Sequence, residues 1–98
     1  MIQKVRLINF VSHRDTSLEL PHGLTAIIGR NGAGKTSILD AISYALFKQH
    51  SRGKDENLIN RRAPSAQVQL QFSSNGSNYE ITWMIELGRR ARAILKDA

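Results

Sequence analysis

Leu24-Thr-Ala-Ile-Ile-Gly-Arg-Asn-Gly-Ala-Gly-Lys-Thr-Ser-Ile-Leu-Asp-Ala-Ile-Ser-Tyr-Ala-Leu-Phe47 is the stretch that decides the fold. Within it, Gly29-Arg-Asn-Gly-Ala-Gly-Lys-Thr36 satisfies the pattern G-x-x-x-x-G-K-[ST]. Ahead of the glycines, Leu24 to Ile28 is apolar except at Thr25, which predicts a strand covered on both faces. Behind them, Ile38, Leu39, Ile42, Ala45 and Leu46 recur at helical spacing with Asp40 and Ser43 on the other side. That predicts a helix from about Lys35 to Phe47. Glycines between a buried strand and a helix let the backbone wrap with its N–H groups pointing inward, and the helix N-terminus adds partial positive charge. Asn31, Gly32, Ala33, Gly34, Lys35 and Thr36, with Ser37 next along, are therefore the expected phosphate cradle. Lys35 is the expected catalytic cation at the β and γ phosphates, and Thr36 the expected Mg²⁺ ligand. ATP and Mg²⁺ are the cofactors this site implies. A chance match to the four specified positions should occur in only about a few chains per thousand of this length.

Outward from this stretch the pattern is that of strands. Val5 and Leu7 alternate with Lys4 and Arg6, predicting a first strand over Ile2 to Phe10. Leu18 and Leu20 alternate with Ser17 and Glu19, predicting a half-exposed strand over Thr16 to Leu20. Lys48 to Asn57 is polar and charged and reads as a surface loop, re-anchored by Leu58 and Ile59. Val68, Leu70 and Phe72 alternate with Gln67, Gln69 and Gln71, predicting a strand over Gln67 to Phe72. Asn75-Gly76 then suits a tight I′ turn, after which Tyr79, Ile81, Trp83 and Ile85 form an apolar stripe at period two. Gly88 marks another turn, and Ala91 to Lys96 a last strand.

The 98 residues suit one small domain or part of one, organised as a P-loop part over about 1–60 and an antiparallel part over about 64–98. Hydrophobic residues at 41% and charged residues at 22% exclude a disordered tail. No segment approaches the roughly 20 apolar residues that span a bilayer, and the first ten residues lack a secretory signal, so no membrane partner and an intracellular location, cytoplasm or nucleoid, are expected. The absence of cysteine removes disulfides, thiolate metal sites and cysteine nucleophiles. Fourteen Lys and Arg against eight Asp and Glu give a net charge of +6, which favours polyanionic partners.

P-loops serve kinases, GTPases, transporters and DNA motors, so the loop alone does not name a reaction. The flanks are more specific. Ile8-Asn-Phe-Val-Ser-His-Arg-Asp-Thr-Ser-Leu-Glu-Leu20 and Ile38-Leu-Asp-Ala-Ile42, around the P-loop, closely resemble the opening of SMC-type ATPases. They resemble in particular the coiled-coil double-strand-break repair ATPase family that works with a break-processing nuclease. The resemblance runs over about residues 1–79. It implies an α/β P-loop NTPase fold of ABC/SMC head type, N-terminal lobe only, with a mixed sheet and an antiparallel meander. It also implies that Ile59-Asn60-Arg61 forms a nucleotide-contacting loop. That family often carries an arginine beside the nucleotide where this chain has Val11, which assigns the base contact to Ser12 and His13 here. The implied partners are the C-terminal lobe of the same ATPase, a second head in a homodimer, the nuclease subunit and DNA. No Walker B pair or signature motif is found in these residues and no glutamine loop can be placed, so the chain is expected to be truncated and inactive in hydrolysis alone. A transporter-type ATPase subunit and a stand-alone nucleotide-binding module are the alternatives.

Several side chains carry two readings. His13 reads either as a base contact or as a hydrogen-bonded loop residue. Arg89, Arg90 and Arg92 read as a DNA-phosphate group or a solvated face, and Arg52, Lys54, Arg61 and Arg62 as solvated. Phe72, Tyr79 and Trp83 read as core, and Asp40 as a helix-surface or capping residue.

Overall fold

The computed structural model describes residues 1–20 and, apart from the Lys35 side chain, 35–97. The chain runs through β1 (Ile2–Phe10), β2 (His13–Glu19), α1 (Lys35–Phe47), a 3-10 turn (Asp55–Leu58), β3 (Ser65–Ser74), β4 (Ser77–Glu86) and β5 (Arg92–Asp97). The five described strands form one sheet in the order β2-β1-β3-β4-β5, and every described pairing is antiparallel. The expected buried strand Leu24 to Ile28 and the glycines of the P-loop lie outside the described residues.

Register explains the core. Val5 pairs with Leu18 on one side and Leu70 on the other, Leu7 with Val68, and Val68 with Trp83. Directly opposed residues share a face, so the apolar set of each strand adds to one continuous surface. Lys4, Arg6, Gln67, Gln69 and Gln71 fall on the reverse face by the same alternation. The apolar surface is covered by α1, which buries Ile38, Ala41, Ile42, Tyr44 and Ala45. Trp83 reaches up from β4, donates from Nε1 to the Ala45 carbonyl at 3.0 Å and meets Tyr44 edge to face at 5.2 Å. Phe72 and Tyr79, opposed across the β3–β4 pair, stack at 5.6 Å. Of the three aromatics read as core, Phe72 and Trp83 are half-buried against it, and Tyr79, also half-buried, stacks on Phe72.

The sequence expectations for β1, α1 and the Asn75-Gly76 hairpin match the observed elements, with φ of 52° and 81° at the two turn residues. Three readings are corrected. β2 starts at His13 rather than Thr16, because its first residues pair with β1 without burying an apolar side chain. The helix stripe passes through Tyr44, which is fully buried, and leaves Leu46 37% exposed. Asp40, read as a helix-surface or capping residue, is not on the surface and is only 8% exposed. Its carboxylate accepts from the Ser51 backbone N–H (3.1 Å), the Ser51 hydroxyl (2.8 Å) and Arg52 Nε (3.1 Å).

That carboxylate also explains why the Lys48 to Asn57 segment is more than a surface loop. His50 Nδ1 accepts from the Arg52 N–H at 3.1 Å, which places the ring proton on Nε2, 3.1 Å from Asp55. Asp55 accepts a further bond from the Tyr44 hydroxyl, and burial together with that carboxylate pushes the phenol pKa up. A polar segment without an apolar face is ordered here by the buried Asp40 carboxylate and the Tyr44 hydroxyl of α1.

Candidate nucleotide site

The end of β1 and the segment after the 3-10 turn build the two walls of a cleft. Phe10, fully buried, forms an isolated antiparallel bridge with Ile59. Around that bridge Val11 N–H donates to the Leu58 carbonyl (2.7 Å) and Asn60 N–H to the Asn9 carbonyl (2.7 Å). The Asn60 side chain adds a bond to the Val11 carbonyl at 2.9 Å. Between the walls lies a cleft of about 500 Å³, lined by Val11, Ser12, Arg14, Arg52, Asn57, Ile59, Asn60, Arg61 and Arg62. Among the described residues four guanidinium groups and no carboxylate line it, a composition that suits an anion. Arg52 is paired with Asp40, whereas Arg14, Arg61 and Arg62 enter no ion pair among the described residues.

The start of α1 is tied to the same region. His13 Nε2 lies 3.0 Å from the Ser37 hydroxyl and Nδ1 lies 3.0 Å from Thr16 Oγ1. Both ring nitrogens are therefore engaged within the protein, and His13 joins the β1–β2 connection to the first turn of the helix. Thr36 is exposed at that turn, and no acidic residue occupies it, so its electrostatics suit a phosphate and a hydroxyl-bound divalent cation.

Of the residues singled out from the sequence, Ser12, Ile59, Asn60 and Arg61 share the cleft, and His13 and Ser37 touch. Asn31 to Gly34 and the Lys35 side chain lie outside the described residues. The profile of the AAA domain family matches residues 4–96. The chain belongs to that family. Within it, the similarity lies with proteins named DNA double-strand break repair Rad50 ATPase. The one from Sulfolobus acidocaldarius is 42% identical over 100 residues, covering 99% of this chain and 11% of its own length. The one from Thermoplasma volcanium is 42% identical over 98 residues, covering 100% and 11%. That from Methanocaldococcus jannaschii is 35% identical over 97 residues, covering 99% and 10%. The chain thus spans about a tenth of the length of these relatives, and the repair-ATPase resemblance read from its flanks is borne out.

Among solved structures, the recombination mediator RecF with ATP superposes with a TM-score of 0.80 at 18% identity, over 98% of this chain and 26% of that one. The SMC head domain from Thermotoga maritima gives 0.66 at 22% identity, over 99% and 37%. The fold of this AAA-domain chain is therefore that of a part of the ABC/SMC ATPase head.

Three arginines of the cleft were missed in the sequence: Arg14, Arg52 and Arg62, the last of which reads as solvated yet lines the cleft. Arg14 sits in β2 two residues after Ser12 and was given no role, although its place within the stretch Ile8 to Leu20 that resembles the repair ATPases was a usable signal. Arg52 was read as solvated, yet Asp40 holds it at the cleft. The Arg89 to Arg92 group divides: Glu86 pairs with both Arg89 and Arg92, and Arg90 is exposed.

Proposed function

We propose that this chain is the ATP-binding N-terminal part of an SMC-type ATPase head acting in DNA double-strand break repair. The observation that carries the proposal is the G-x-x-x-x-G-K-[ST] stretch running into α1, whose first turn is fastened by His13 beside an arginine-lined cleft. The names of its relatives, repair ATPases, support the same reading. In this account Asn31 to Ser37 cradle the phosphates of ATP, Lys35 neutralises the β and γ phosphates, and Thr36 coordinates Mg²⁺. Ser12, His13 and the Ile59-Asn60-Arg61 segment border the remainder of the nucleotide.

Turnover belongs to a larger assembly. A C-terminal lobe of the same ATPase supplies the acidic pair that activates water, and a second head closes over the nucleotide. ATP-driven closure then governs engagement of DNA ends and access of a nuclease subunit. An intracellular location follows from such substrates; among the described residues no helix is long and apolar enough to cross a membrane. Phosphate release tests this directly. Residues 1–98 alone should release negligible phosphate from ATP, and adding a separately produced C-terminal lobe should restore it; vigorous turnover by the lone chain would overturn the proposal.

A further inference from the structure

Every polar atom of Asn60 has a partner inside the protein. Its N–H donates to the Asn9 carbonyl (2.7 Å), its carbonyl accepts from the Ala63 N–H (2.9 Å), and its Oδ1 accepts from the Arg62 N–H (3.0 Å). Its Nδ2 donates to the carbonyl of Val11 (2.9 Å). Val11 has a φ of 52°, in the left-handed region that a β-branched residue enters only under constraint. The constraint is visible: the carbonyl of Val11 is taken by Asn60 and its N–H by the Leu58 carbonyl, so both backbone groups of the strained residue are held by the opposite wall of the cleft. The left-handed turn in turn sets the direction in which the chain leaves Phe10 toward Ser12 and His13, and His13 ends 3.0 Å from Ser37.

We propose that Asn60 is a positioning residue that clasps the two walls of the cleft, holding Val11 in its left-handed turn so that Ser12 and His13 face the start of α1. The proposal rests on the nucleotide reading of that cleft, and it replaces a direct contact between the Asn60 side chain and nucleotide. A carboxamide with each of its atoms bonded to backbone is held in one orientation by the protein itself, and a strained loop bordering a ligand needs a clasp.

The test is a double-mutant cycle on the full-length protein, read as KM and kcat for ATP hydrolysis. Asn60→Ala should raise KM about tenfold with kcat changed less than about twofold, the scale of one lost buried hydrogen bond acting on binding. In the Val11→Gly background the same substitution should raise KM less than about threefold, because glycine takes the left-handed turn without being held. A tenfold rise in both backgrounds would mean that Asn60 touches nucleotide directly, and no rise with Val11 present would mean that it does nothing; either result overturns the clasp. If the unsubstituted protein neither binds nor hydrolyses ATP, the nucleotide reading fails alone. The melting temperatures of the four proteins then still decide the clasp: Asn60→Ala should lower the Tm clearly more with Val11 than with Val11→Gly, and equal losses overturn it.

Discussion

Two of the strand-to-strand turns among the described residues place non-glycine residues at positive φ by opposite means. The β3–β4 hairpin turns at Asn75 and Gly76, residue types that accept left-handed backbone, and an added Cβ at Gly76 would meet nothing within 4 Å. It is a turn written in local sequence. The β1–β2 connection has Asn9 at 51° and Val11 at 52°, on either side of a fully buried Phe10. Nothing local favours Val11 there; its conformation is imposed by Phe10 in the core, by the bond its N–H donates to the Leu58 carbonyl and by the bond its carbonyl accepts from Asn60. Strain that is sustained by long-range contacts tends to mark a functional surface, and here it borders the arginine-lined cleft.

The contrast can be broken most forcefully at Phe10. Phe10→Ala should lower unfolding free energy by about 3–5 kcal/mol, as for a large aromatic lost from a core, and should release the imposed turn along with it. Urea denaturation measures the first effect, and amide exchange at Val11 and Ser12 the second. A smaller loss is expected from putting the wrong residue into the local turn. Gly76→Val forces a β-branched side chain to a φ of 81° with no long-range bond to hold it, at a cost of about 1–3 kcal/mol. Its thermal unfolding should show that loss without any change at the β1–β2 connection.

The smallest effect concerns the exposed Arg6–Asp15 pair, which spans the hairpin containing the imposed turn at 3.2 Å. The Arg6 hydrogen bond holds the Asp15 carboxyl below its ordinary 3.8. A carboxyl depressed in the folded state stabilises above its unfolded pKa and loses that contribution as pH falls through the folded one. Because both groups are exposed, the effect is slight. Asp15→Asn should leave stability at neutral pH nearly unchanged and flatten only the acid limb of a Tm-against-pH curve, below the usual carboxylate range.

The same division between local and imposed structure accounts for what the sequence disclosed. β1, α1 and the β3–β4 hairpin were legible because period two, period 3.6 and an Asn-Gly dipeptide are local patterns. The membership of the cleft was legible only in part. Ser12 and Arg61 stood in stretches that resemble the repair ATPases, whereas Arg52 acquires its place through Asp40, twelve residues away, and no local pattern encodes that bond. His13 offered two readings, and a pairing with Ser37 across 24 residues of sequence decides its partners. Tyr44 escaped notice because its burial depends on Trp83, from a strand that the helix periodicity does not report.

The central claim is that the loop leading into α1 binds the phosphates of ATP. Calorimetric titration of Mg–ATP into the full-length protein and its Lys35→Ala variant tests it most directly, since one ammonium is removed while the fold, followed by circular dichroism, is kept. The account predicts saturable binding that weakens by more than about tenfold on substitution, as befits loss of a charge-assisted phosphate contact. Equal affinity of the two proteins for Mg–ATP would contradict it.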